Sequence, residues 1–215
     1  MQGYLEPDRF SGTTVFIIGG GSSLLGLDLE RDLADKMVIG CNDAFRLSCT
    51  RICCFGDAVW HKRVVDELFE WDGEVWTNHN AYKSVELVRY LRKCPHISIR
   101  PTECAWWGNT GFLALNLALL GHPKSIVLLG YDMCRINEEA NWHNHNRVAP
   151  TDQDYETMLA HNDEIVEACR LEYPDVQIVN ADPISRLVGF IKSDPTEYGI
   201  EVPDGHIYRG VANEY

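Results

Sequence analysis

The feature that most constrains this chain is a junction near its start, where Thr14-Val15-Phe16-Ile17-Ile18 runs directly into Gly19-Gly20-Gly21-Ser22-Ser23. A continuous β-branched and apolar run reads as a strand buried on both faces, which is the habit of parallel sheets. Contiguous glycines then permit a tight turn and a close backbone approach to a ligand. Amides exposed beside a helix start supply donors for an anion. Gly19, Gly20, Gly21 and Ser22 are therefore candidate phosphate contacts. The junction is neither a GxGxxG fingerprint nor a P-loop, because its glycines are contiguous and no GK[ST] follows. The plainer alternative is that these glycines only turn the chain.

Beyond the junction, short apolar runs alternate with amphipathic stretches, as expected of parallel strands joined by helical crossovers. The pattern places strands at 14–18, 37–41, 51–55, 74–77, 96–99, 125–129 and 176–179. It places helices at 27–34, 58–69, 83–92, 110–121 and 152–172. The segment 110–121 is apolar on all sides, which predicts a central helix packed on both faces. The fold class expected is α/β: a Rossmann-like, mostly parallel sheet with helices on both faces. Residues 131–151 lack periodicity, follow the strongest strand and read as an irregular lid. Residues 1–192 are expected to form one nucleotide-binding domain and 193–215 a tail rich in proline and glycine.

Composition narrows the function classes. A chain of 215 residues suits one domain with a sizeable core. Its net charge of −13 repels a nucleic-acid backbone, whose binding depends on cations displacing phosphate counterions. The 8 cysteines include adjacent Cys53 and Cys54 within an apparent strand and form no CxxC pair. That arrangement predicts reduced thiols rather than a disulfide framework or structural zinc. No apolar run approaches a membrane span and no secretion leader opens the chain, so a cytoplasmic protein is expected, in the host cytoplasm if phage-encoded.

The other chemistry-bearing residues fall where strands end. They are Cys41-Asn42-Asp43, Gly56-Asp57, Gly108-Asn109-Thr110-Gly111 at the head of the central helix, and Gly130-Tyr131-Asp132. In open α/β sheets the ligand crevice lies at the carboxyl ends of the strands, so these loops are expected to share one site with the glycine turn. Asn42, Asn109, Thr110, Gly111, Asp57 and Asp132 join the list of candidate nucleotide-binding residues. Asp57 is as well suited to capping the following helix. Of Trp106 and Trp107, one is expected to pack inward and one to lie at the surface.

The succession IIGGGSS, VIGCNDAF, FGD, NTGFLALNLALLG, IVLLGYDM and NADPISRL resembles the bacterial CMP-sialic acid-dependent sialyltransferases of the lipooligosaccharide type. It is similar as well to the archaeal hydroxymethylpterin pyrophosphokinase-like group and to bacteriophage proteins of the same kind. The resemblance spans about residues 14–190 and rests on short motifs. It implies nucleotide contacts from Gly20-Gly21-Ser22, from Asn42 and from Asn109-Thr110-Gly111. The chain departs from the sialyltransferases in carrying Gly20-Gly21-Ser22 where Asn-Gly-Pro is usual. The family's general base is a histidine shortly before the last long helix, and here His143, His145 and His161 are the candidates. Asn180, Asp182 and Ser185 resemble the closing motif and are expected to cap a final short helix.

A histidine titrates near neutrality and can take a proton from an acceptor hydroxyl, which favours His143 or His145 in the lid. The same pair, with Asp132 and Cys134, is a weak transition-metal set, and Asp57 or Asp132 can hold Mg²⁺ against phosphates. The function expected is a nucleotide-dependent group transferase, a glycosyltransferase using a nucleotide sugar with a histidine base. Two alternatives stay open: a Mg²⁺-dependent pyrophosphokinase of a pterin-like substrate, and a non-catalytic nucleotide-binding module. The partners implied are a nucleotide or nucleotide sugar, an unspecified acceptor and a second copy of the chain.

Overall fold

The computed structural model describes residues 3–143 and 150–210. The early apolar run forms β1 (Thr14–Ile18), followed by β2 (Met37–Cys41), β3 (Ile52–Phe55), β4 (Glu74–Thr77), β5 (Val88–Tyr90), β8 (Ser125–Leu129), β9 (Gln177–Asn180) and β10 (Ile191–Lys192) of one sheet. A separate small pair is β6 (Arg92–Cys94) with β7 (Glu103–Ala105). The main sheet has the order β10-β9-β8-β1-β2-β3-β4-β5. Every strand pair in it is parallel.

This is a Rossmann-like arrangement, and its consequence lies at β1. The chain first builds outward from β1 through β2 to β5, then returns to lay β8 on the other side of β1, with Ile18 opposite both Gly40 and Leu129. The strand order reverses there, so the loops leaving β1 and β8 diverge to opposite sides and open a crevice.

Among the described residues the α-helices are α1 (Leu29–Asp32), α2 (Ala58–Glu70), α3 (Thr110–Leu120), α4 (Asp152–Leu159) and α5 (Asn162–Glu172). One face packs Val15, Ile17, Ile39, Ile52 and Ile126 against α3 and against Ile165 and Cys169 of α5. On the other face, Phe16, Ile18, Val38 and Val127 meet Leu29 and Leu33, while Cys53 and Phe55 meet Trp60, Val64 and Leu68 of α2. In α3 every residue from Gly111 to Leu120 is buried, as its all-round apolarity requires.

Several elements differ from the sequence pattern. Residues 83–92 are not a helix; they hold a turn, β5 and the start of β6, because Val88 and Tyr90 are buried with Arg89 exposed between them. That is period-two burial on the edge of β4. Residues 96–99 form no strand; Ser98 is instead tied to Asn116 of α3 through two main-chain hydrogen bonds (3.0 Å each), and Asn116 accepts a further one from the Ala105 amide (2.8 Å). The helix read over 27–34 shrinks to Leu29–Asp32, and that over 152–172 breaks into α4 and α5 at Ala160-His161.

The tail folds back over the body. Ile200, Val202 and Tyr208 are buried, the Glu201 amide donates to Asp32 at 2.8 Å, and the ring of His206 bonds the Leu25 carbonyl at 3.0 Å. None of the cysteines forms a disulfide. No helix among the described residues is long and apolar enough to cross a membrane.

Candidate active site

The glycine turn is shaped by what presses against it. A β-carbon on Gly19 would stand 2.5 Å from the Gly130 carbonyl oxygen, and one on Gly21 would stand 2.0 Å from an Asp132 carboxylate oxygen. The turn can therefore close on the β8 loop only with glycine at both positions. Amides of Gly19 and Gly21 donate to the carbonyls of Leu129 (2.8 Å) and Gly130 (2.9 Å). Asp132 is buried and accepts from the Ser23 amide (2.9 Å) and the Ser23 hydroxyl (2.5 Å). From the segment after β8, Trp142 donates its amide to Gly20 O (3.2 Å) and its indole N–H to Gly19 O (3.0 Å). The Gly20 amide is left without an acceptor among the described residues. Ser22 turns away from the site, its hydroxyl donating to Glu139 O at 2.9 Å.

Above this turn lies a cleft of about 750 Å³ that runs across the carboxyl ends of β8, β1, β2, β3 and β4. Its lining takes in Gly19, Gly20, Gly21, Asn42, Asp57, Asn109, Thr110, Gly111 and Asp132, so the loops singled out by sequence do meet around one space. Asn42 has a positive φ of 50°, and its amide oxygen is buried with no hydrogen-bond partner among the described residues. Asn109 caps α3, accepting from the Gly111 amide at 2.6 Å, so the positive end of this helix opens onto the cleft. Asp57 likewise caps α2, accepting from the Val59 amide at 2.7 Å. Trp107 is buried against Phe112, while Trp106 lines the cleft and packs on Gly56.

The sequence candidates for the base are scattered. His143 has its side chain 5% exposed and Nε2 4.0 Å from Asp43, outside the cleft lining. Asp43, wholly buried, also binds Trp60 Nε1 (2.8 Å), Arg63 (3.4 Å) and Arg46. His145 falls outside the described residues. His161 is exposed at the break between α4 and α5, beside Glu164 and outside the cleft lining. Sequence reasoning passed over His79, which follows β4 and does line the cleft. It also passed over Tyr155 and Met158 of α4, which line the same cleft.

The closing motif does not cap a helix. Ser185 donates to Tyr131 O (2.5 Å), the Arg186 amide donates to Asp132 O (2.9 Å), and Asn180 reaches Leu187 O (3.4 Å), so the segment braces the exit of β8. Asp182 sits beside Asp132, and burial followed by the neighbouring carboxylate pushes its carboxyl well above the usual range.

A resident metal does not fit these residues well. No three His, Cys, Asp or Glu side chains gather to hold an ion among the described residues. Asp57 and Asp132 follow β3 and β8, three strand spacings or about 14 Å apart, and each already accepts from a backbone amide.

Fold and site together define a Rossmann-like protein with a switch-point cleft floored by a glycine turn and walled by a helix N-terminus. The chain is similar in fold to the sialyltransferase CstII from Campylobacter jejuni, solved with cytidine-5'-monophosphate as a substrate analogue. That likeness has a TM-score of 0.55 and 13% identity, covering 93% of this chain and 97% of that one. It is similar also to CST-II solved with a trisaccharide acceptor and CMP (TM-score 0.51, 14% identity, 91% and 97% covered). A third likeness is to monomeric CstII (TM-score 0.51, 13% identity, 90% and 92% covered). No protein-family model and no curated protein matches the sequence.

Proposed function

We propose that the chain is a nucleotide-dependent group transferase, and specifically a glycosyltransferase that takes a nucleotide sugar as donor. The observation that carries this reading is the convergence of the Gly20 amide, Asn42 and the N-terminus of α3 on one cleft. Such a set receives an anion and a hydroxyl-bearing neighbour. The fold shared with a transferase solved bound to CMP supports the same choice.

In this reading the phosphate lies between the glycine turn and α3, and backbone dipoles carry the charge that develops on the leaving group. Asn42 meets phosphate or ribose. Proton removal from the acceptor hydroxyl falls to the lid, whose described histidine is His143. His143 must leave its buried place beside Asp43 for that step. No metal is required of the residues present, which sets this reading apart from a Mg²⁺-dependent pyrophosphokinase.

The test is a binding titration with CMP-, UDP-, GDP- and ADP-sugars, with and without EDTA. Micromolar binding of one of them, indifferent to EDTA, is expected. Failure of all four to bind rejects the proposal, and binding abolished by EDTA transfers it to the pyrophosphokinase.

A further inference from the structure

His79 is held in a way that fixes what its ring can do. It follows β4, whose last residues are pinned: Thr77 Oγ1 donates to Phe55 O (2.7 Å) and accepts from the His79 amide (3.1 Å). Next to it, Asn78 is buried and donates to Ala105 O at 3.0 Å, tying β4 to the segment that leads into Trp106. The ring itself is turned so that Nδ1 accepts a hydrogen bond from the Ala81 amide at 3.2 Å. An amide N–H can only donate, so Nδ1 carries a lone pair and the proton of the neutral imidazole resides on Nε2. The Tyr82 ring stands edge-on at 5.6 Å and limits rotation.

A general base needs a bare nitrogen facing its substrate, and this ring has its bare nitrogen occupied. What remains for a ligand is a donor, the Nε2–H, at a wall of the cleft that no lysine or arginine lines among the described residues. β4 lies three strand spacings from β1, about 14 Å from the glycine turn. A phosphate on the turn therefore does not reach His79; the distal part of an extended ligand does, lying past Asn42 and Gly56-Asp57.

We propose that His79, locked as the Nε2–H tautomer by the Ala81 amide, is a specificity-determining donor to an oxygen of the non-phosphate part of the bound donor substrate. The inference rests on the nucleotide-sugar reading above and adds to it a residue and a direction: the ligand extends from β1 toward β4. A rigid donor of this kind selects ligands that present an acceptor oxygen there, because one lacking it leaves the N–H unpaired.

The experiment uses CMP and UDP, each beside a sugar conjugate of itself, as probes. Nitrogen NMR of the imidazole in the wild-type chain, free and ligand-bound, is expected to show Nδ1 bare and Nε2 protonated. His79→Ala is expected to weaken binding of the sugar conjugate about tenfold. His79→Gln, whose terminal amide can donate, is expected to recover most of that loss. If free nucleotide weakens equally, the contact is to the nucleoside; if only the conjugate weakens, it is to the sugar. A proton on Nδ1 in the complex overturns the inference, as does a folded His79→Ala that binds normally or a His79→Gln no better than alanine. Should His79→Ala fail to fold, the tautomer and the glutamine variant still decide. If none of these probes, nor the GDP- and ADP-sugars, binds a chain whose tautomer is as expected, the nucleotide-sugar reading has failed; if probes bind regardless of residue 79, only this inference has.

Discussion

Gly21 has room for a hydrogen and nothing larger, since the Asp132 carboxylate occupies the place of a β-carbon. Gly21→Ala is accordingly expected to cost about 1–3 kcal/mol by overpacking. It should also push the turn off Asp132, so nucleotide affinity falls along with the denaturant midpoint. A variant of unchanged midpoint and affinity would mean the turn is looser than the packing implies. Asp182 gives a second prediction at this scale. An unfolded aspartate titrates near 3.9, and burial beside Asp132 raises the folded value well above that. Between those two values the native state binds a proton that the unfolded chain has released. The contribution to stability is therefore full below about pH 4 and is lost as pH rises through the folded pKa. Asp182→Asn keeps an oxygen for the Ile184 amide and cannot ionise. Denaturation curves at several pH values should show the variant gaining on the wild type as pH rises from 4 to 8; a constant difference would show that Asp182 does not hold its proton.

At the scale of elements, α3 does two jobs, and one side chain joins them. Asn116 is fully buried in an otherwise apolar helix; its oxygen accepts from the amides of Ser98 and Ala105 and its nitrogen donates to Ser98 O. Asn116→Leu keeps the bulk and strands two buried amides, an expected loss of about 2–4 kcal/mol readable in urea melts. Since Ala105 leads through Trp106 to the head of α3, ligand affinity should fall with it. The helix itself was legible because ten successive buried positions leave no polar face to misplace. The glycine turn, Asn42 and the α3 start were legible for a related reason: each follows a strand, and topology alone brings strand ends together. What depends on a tertiary partner was not. The stretch 83–92 offers a helical pattern until the free edge of β4 is known to need Val88 and Tyr90. Ser98 looks like strand until Asn116 claims it. His79 carries no motif, and its meaning comes from Ala81 fixing the ring and from four strands placing it at the cleft.

Taken as a whole, the molecule sets an electrostatic problem for its own proposed ligand. A chain of net charge −13 attracts no phosphate from a distance, and no lysine or arginine lines the cleft among the described residues. An anion held there is held by backbone amides and a helix dipole against a repulsive background field. Salt acts differently on those two contributions. The background is a sum over exposed charges many ångströms away, which screening weakens once the Debye length shrinks to about 8 Å near physiological ionic strength. The amides act at contact distance inside the cleft, where screening reaches them little. Nucleotide affinity should therefore hold steady or rise as salt increases from about 0.01 to 0.15 M. A protein that grips phosphates with cationic side chains behaves in the opposite way, losing affinity steeply as counterions compete. Calorimetric titration of CMP at three salt concentrations separates the two. A steep fall would mean that cationic side chains, rather than the glycine turn and the head of α3, carry the phosphate.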